Sequence, residues 1–226
     1  MDLTQLFCDI DDFVKALERK NDSFLLISKS KLRRGFPPQM SLSELMTIIV
    51  LYHSSGYKNF KTFYKFIQLH NAHAFPKLIS YSRFVEWMPY CLLPLGLFLK
   101  SKMGVVTGIS YIDSTSIAVC RNIRIPRNKV FKGSAARGKT SMGWFYGFKL
   151  HIIVNENGEL LSFQITKGNT NDRVPVKVLC RHLKGKLYGD KGYLGQKLFE
   201  ESCRPRKAGS LTVVSTPMGC QELVNT

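Results

Sequence analysis

Two aspartates sit where their type and surroundings could do chemistry. Asp113 interrupts an apolar run in Tyr111-Ile112-Asp113-Ser114-Thr115, and Asp190 closes a shorter one in Tyr188-Gly189-Asp190-Lys191-Gly192-Tyr193. An unpaired carboxylate on a buried strand is expensive to desolvate, so such an acid faces a polar edge or holds a cation. Glycines on either side of Asp190 let the backbone turn sharply and bring a ligand close. Strand ends of open α/β sheets are where ligands gather. Taken singly, either acid reads more readily as a cap or salt-bridge partner than as a metal ligand, and the pair leaves both readings open. Between Cys120 and Met142 runs RNIRIPRNKVFKGSAARGKTS, with Arg121, Arg124, Arg127, Lys129, Lys132, Arg137 and Lys139 and no acid. Such a stretch beside Asp113 is a candidate DNA contact surface; the plainer reading is a solvated charge run.

The whole chain shares that bias. Thirty-three Lys and Arg against 16 Asp and Glu give a formal charge of +17 over 226 residues. An excess of that size attracts polyanions and supports sequence-independent phosphate binding. The basic stretch also contains Gly133-x-x-x-x-Gly138-Lys139-Thr140, the string of a phosphate-binding P-loop. That motif works only with a strand before it and a helix N-terminus after it. Here Gly143 and Gly147 follow and the next segment reads as strand, so a nucleotide-binding P-loop protein is a remote alternative.

The elements that must position these residues divide at about residue 103. Residues 1–103 read as helical. Asp11 to Lys20 is a charged helical stretch, and Lys29 to Pro38 is a basic joint. Ser41-Leu42-Ser43-Glu44 offers a capping box before the apolar run Leu45 to Tyr52. Gly56 breaks that helix, and Asn59 to Leu69 resumes it with Phe60, Phe63, Tyr64 and Ile67 on one face, the spacing of a core. Two short helices about a turn resemble a helix-turn-helix, a DNA-binding arrangement. Past residue 104 the period changes. Val105 to Cys120, Phe148 to Val154 and Glu159 to Thr166 read as strands, the last two joined by a turn ending in Asn157-Gly158. Asp172 is placed to cap a helix through about His182, with Pro175 in its first turn, and Lys186 to Asp190 reads as a further strand. His151 falls on the strand face opposite Phe148 and Leu150 and reads as a surface or packing residue.

Tyr-Ile-Asp-Ser-Thr, the basic loop, Gly-Phe-Lys-Leu-His, Thr-Lys-Gly-Asn-Thr-Asn-Asp-Arg and Tyr-Gly-Asp-Lys-Gly-Tyr follow one another in the chain. In that order they resemble the transposases of bacterial insertion sequences, the metal-dependent Asp-Asp-Glu (DDE) enzymes. The resemblance runs to about Phe199. It implies an α/β fold: a helical N-terminal domain followed by an incomplete ribonuclease-H-like mixed sheet with flanking helices. Asp113 and Asp190, 77 positions apart, match the family's first two catalytic, metal-holding acids. Two Mg²⁺ (or Mn²⁺) ions are the implied cofactors, and metal-dependent DNA cleavage and strand transfer the implied reaction. The implied partners are DNA, at element ends and target, and further copies of the chain assembled on it.

A third acid is not identifiable. Glu200 and Glu201 follow Asp190 too closely and belong to the next helix, and Glu222 lacks the family's context. The expected organisation is therefore 1–103 helical, 104–201 catalytic core and 202–226 an aberrant tail, as in a truncated or frameshifted gene. The alternative to an enzyme is a catalytically dead DNA-binding fragment that competes with intact transposase. The acidic N-terminus does not look like a signal peptide, and Met88 to Leu99 is too short to span a bilayer. Six cysteines without Cys-x-x-Cys spacing read as buried thiols in a reducing compartment. A cytoplasmic protein without a membrane segment is expected.

Overall fold

The structure, a computed structural model, describes residues 2–20, 39–189 and 211–215. Asp190, the joint Lys29 to Pro38, and Glu200, Glu201 and Glu222 lie outside the described residues. The chain divides into two compact units, Met1–Lys102 and Met103–Thr226.

The first unit is helical: α1 (Leu3–Lys20), α2 (Leu42–Ser54), α3 (Phe60–His70) and α4 (Tyr81–Ser101). Its caps are those that the residue types dictate. Ser41 accepts from the Glu44 amide while the Glu44 carboxylate accepts from the Ser41 amide, which closes the capping box on α2. Asn59 caps α3 through the Thr62 amide, and Ser80 caps α4 through that of Arg83. Leu6, Ile10 and Val14, four apart on α1, are buried with Met46 and Ile48 of α2 and Phe63, Tyr64 and Ile67 of α3. Burying each of these side chains contributes on the order of 2 kcal/mol. The Tyr64 hydroxyl donates to the Ile79 carbonyl at 2.6 Å, and burial pushes its pKa up to about 12. The apolar stretch Met88 to Leu99 lies inside α4, which runs through Pro89 and Pro94.

The second unit is one mixed sheet. Its strands are β1 (Ile109–Cys120), β2 (Ala136–Thr140), β3 (Gly143–Asn155), β4 (Leu160–Lys167), β5 (Gly185–Gly189) and β6 (Leu211–Ser215). The order is β2-β3-β1-β5-β6, with β4 also on β3. β1, β3 and β4 form an antiparallel meander, whereas β5 and β6 join parallel to β1 and to each other. β2 and β4 share the outer edge of β3 end to end, opposite Gly143–Gly147 and Phe148–Val154. Gly147 stands at that splice because nothing larger fits: a Cβ there would run into the Ile117 carbonyl and the Ala118 backbone. The β3–β4 turn is held by the Asn155 side chain, which accepts from the Asn157 and Glu159 amides, and Gly158 takes φ +77°.

Alternation gives the sheet two unlike faces. On one, Ile112, Ile153 and Leu187 pack against Val176, Leu179, Cys180 and Leu183 of the segment around the short helix α5 (Val176–Leu179). On the other, Tyr111, Ile117, Phe163 and Ile165 are exposed.

Several expectations change. The segment 121–141 is not a loop throughout: it holds a 3-10 helix, Asn122–Arg127, and the strand β2. The helix expected from Asp172 to His182 shrinks to the one turn Val176–Leu179, with Pro175 rather than Asp172 at its N-cap. Residues 211–215, inside the expected tail, form a strand paired in register with β5. Of the cysteines expected to be buried, Cys91 and Cys180 are, Cys120 is half-buried and Cys8 is exposed.

Candidate active site and nucleic-acid interface

Asp113 lies in the middle of β1, opposite Ile152 of β3, with its side chain on the open face of the sheet. Its Oδ1 accepts from the Ser114 amide at 2.7 Å, and among the described residues it forms no ion pair. The strand interior tolerates this carboxylate because that face keeps it in water. On the far edge of β1, Tyr111 pairs with Tyr188 and Ile112 with Gly189. The two tyrosine rings stack, 5.5 Å between centroids and 26° between planes, two residues before Asp113 on one strand and two before Asp190 on the other. Asp190 itself is outside the described residues. Among the described residues no three His, Cys, Asp or Glu side chains gather as a metal cluster.

The basic segment folds back onto the face that carries Asp113. Phe148 and Tyr146 of β3 lie two and three alternations from Ile152 on that same face. The Phe131 ring meets Phe148 edge-on at 5.6 Å, and the Phe131 carbonyl accepts from the Tyr146 hydroxyl at 3.3 Å. Lys167, opposite Phe148, donates to the Gly133 carbonyl at 2.9 Å. Arg121, Arg124, Arg127, Lys129, Lys132, Arg137 and Lys139 are all exposed, and none is in an ion pair among the described residues. No acid occurs between Asp113 and Glu156. The nearest glutamates of this unit are taken up at the β3–β4 turn, Glu156 by the Thr107 hydroxyl and Glu159 by the Asn155 amide group.

A family model described as Transposase DDE domain matches residues 103–218, just over half of the chain. The chain belongs to the DDE transposase family. The sheet, an antiparallel meander continued by parallel strands, is the ribonuclease-H-like arrangement of that transposase domain. The match extends through β6, past Glu201 where the sequence reading sees the family pattern end. DNA is the partner that a transposase implies, and DDE transposase domains in general use divalent metal ions. No curated protein and no solved structure matches the chain. No helix among the described residues is long and apolar enough to cross a membrane.

Four other residues singled out in the sequence find their places in the transposase domain. Lys139 and Thr140 of the P-loop-like string lie on β2, which turns directly into β3, so no helix N-terminus follows them. Asp172 is an ion-pair partner rather than a helix cap: the Lys149 ammonium donates to it at 2.8 Å and to the Thr170 carbonyl at 3.2 Å. His151 is fully buried with its Nε2 2.9 Å from the Thr166 hydroxyl. Burial holds its pKa below the ordinary 6.5; Asp172 pulls the other way and Lys149 adds to the depression. Lys149 is the residue that sequence reasoning missed. A lysine in an apolar strand was the available signal, of the same kind that picked out Asp113.

Proposed function

We propose that this transposase works by metal-dependent cleavage and strand transfer of DNA, with Asp113 and Asp190 as two of its metal-holding carboxylates. The observation that carries the reading is the fold-back of the acid-free basic segment over the sheet face on which Asp113 stands exposed. A phosphodiester attracted by Arg121, Arg124, Arg127, Lys129, Lys132, Arg137 and Lys139 would be brought to the carboxylate rather than away from it. The parallel register supports the pairing of the acids. Tyr111 lies opposite Tyr188 and Ile112 opposite Gly189, and the next residues in the sequence are Asp113 after the one and Asp190 after the other.

The donor set fits a hard divalent cation. Asp113 offers carboxylate oxygens that are exposed and in no ion pair among the described residues, and Mg²⁺ or Mn²⁺ takes oxygen ligands and retains waters and substrate phosphates. Bound there, such ions would polarise the scissile phosphate and activate a water or a 3′-hydroxyl. The protein's share is positional. Asp113 is fixed by its pairing with β3, the basic segment neutralises the backbone of the incoming strand, and the Tyr111–Tyr188 stack ties β1 to β5 two residues before Asp113. Among the described residues no group of three His, Cys, Asp or Glu side chains supplies a third acid.

Calorimetric titration of the full chain with Mn²⁺ tests the site without needing the right DNA. Replacing Asp113 or Asp190 by Asn removes a direct ligand and is expected to weaken binding by at least about 10-fold, the lower bound seen for lost supporting groups. Unchanged Mn²⁺ affinity in Asp113→Asn refutes the assignment. Supercoiled plasmid incubated with Mg²⁺ or Mn²⁺ then separates the two classes of function. Nicking that disappears in Asp113→Asn marks an enzyme, and binding without nicking marks a DNA-binding competitor.

A further inference from the structure

We propose that the β2–β3 hairpin is a stacking platform for an unpaired DNA base, with the Trp144 indole as its surface and Lys139 and Arg137 as its phosphate contacts. This rests on the reading that the basic face of the sheet binds DNA, and it names what the end of that face recognises. The hairpin tip is Thr140-Ser141-Met142-Gly143, and Met142 in it and Trp144 next to it point to solvent, 96% and 58% exposed. An aromatic ring kept in water among cations is costly to leave idle, and every nucleobase offers a π-face to cover it. The Lys139 ammonium lies 5.8 Å from the Trp144 ring centroid, from the opposite position on β2. Arg137 lies opposite Tyr146, on the same side of the hairpin.

The platform is built to hold its position. The Asn122 side-chain amide donates to the Trp144 carbonyl at 2.9 Å, which ties the hairpin to the 3-10 helix that carries Arg124 and Arg127. With the backbone held in this way, only the side-chain torsions of Trp144 are left to be ordered when a base covers the ring. Its direction also fits. Trp144, Tyr146, Phe148, Leu150 and Ile152 alternate onto one face of β3, and Asp113 shares that face through its pairing with Ile152. Eight residues of strand separate Trp144 from Ile152, about 26 Å. That distance is roughly the rise of seven to eight base pairs. A strand laid along the face would thus have its backbone at Asp113 and a base at Trp144.

The chain holds two tryptophans, so Trp87→Phe leaves Trp144 as the only indole emitter. That variant of the full chain would be titrated with a single-stranded oligonucleotide and with a blunt duplex containing the same sequence. The expected result is quenching of Trp144 emission by the single strand and little by the duplex. In the wild-type background Trp144→Ala is expected to weaken single-strand binding by about 5- to 150-fold, with Trp144→Phe retaining most of it. No charge is removed, so the salt dependence of binding should stay as it was. Bound single strand with Trp144 emission unchanged, or equal losses for single strand and duplex in Trp144→Ala, overturns the platform and leaves the basic face standing. Failure to bind either DNA overturns both. Loss of self-association in Trp144→Ala, seen by sedimentation without a change in DNA affinity, makes the tip a contact between copies and also overturns it.

Discussion

Replacing Arg124, Arg127, Lys129 and Lys132 together by Gln should flatten the salt dependence of DNA binding by an amount the structure fixes in advance. All four are exposed and none is in an ion pair among the described residues, so each cation is available to a phosphate and none supports the fold through a charged partner. Every phosphate neutralised adds about 0.9 to the slope of log affinity against log salt for duplex DNA, so four contribute up to about 3.6. From about 50 to 200 mM salt, a change of about 0.6 in log salt, the variant should therefore lose roughly 150-fold less affinity than the wild type does. The assay is fluorescence anisotropy with two unrelated duplexes over that range, after circular dichroism confirms equal strand and helix content. Both duplexes should respond alike, because phosphates carry no sequence. If the slope of the quadruple variant equals that of the wild type, the segment over the Asp113 face is not the DNA surface, and DNA reaches the transposase elsewhere.

Two further outcomes concern the covered face of the sheet. His151 is held neutral by burial, with a folded pKa below 6.5; as pH falls the unfolded chain takes up the proton first. Its contribution to stability is therefore complete above about pH 6.5 and is lost as pH falls through the folded value, at up to about 1.4 kcal/mol per pH unit. Urea unfolding at neutral and mildly acidic pH should show that loss in the wild type and less of it in His151→Asn; an identical loss in both removes His151 as its source. Lys149 is 13% exposed and Asp172 31%, so Lys149→Met leaves a half-buried carboxylate without its donor. Allowing for that residual hydration, the cost is about 1–2 kcal/mol, read as a lower urea midpoint that Asp172→Asn in the same chain partly restores. An unshifted midpoint in Lys149→Met means the pair contributes nothing to the fold.

The elements legible in the sequence are those whose residues carry their own reason for order. Ser41 and Glu44 close a capping box by themselves, and the β-branched run around Asp113 is a strand on composition alone. β2 was not legible, because Ala136-Arg-Gly-Lys-Thr has no apolar alternation and becomes a strand only by pairing with β3. Asp172 resembled a cap until Lys149, 23 residues away, claimed it. Alternation correctly set His151 opposite Phe148 and Leu150, yet the side chains' apolarity misleads about which face is covered. The segment around α5 lies over Ile153 and Leu187, while Phe163 and Ile165 on the other face are exposed. Asp113 was picked out by its cost in a strand. That its face is also the one the basic segment folds over depends on Phe131 and Tyr146, contacts that no local pattern announces.

The parallel pairing of β1 with β5 joins residues 77 positions apart, whereas paired residues in the meander of β1, β3 and β4 are at most 45 apart. Pairings between distant parts of a chain form late, since the entropy of closing the loop must be spent before any contact rewards it. A nascent chain should therefore display its cationic hairpins before β5 docks on β1, so attraction to nucleic acid would mature ahead of that parallel pairing.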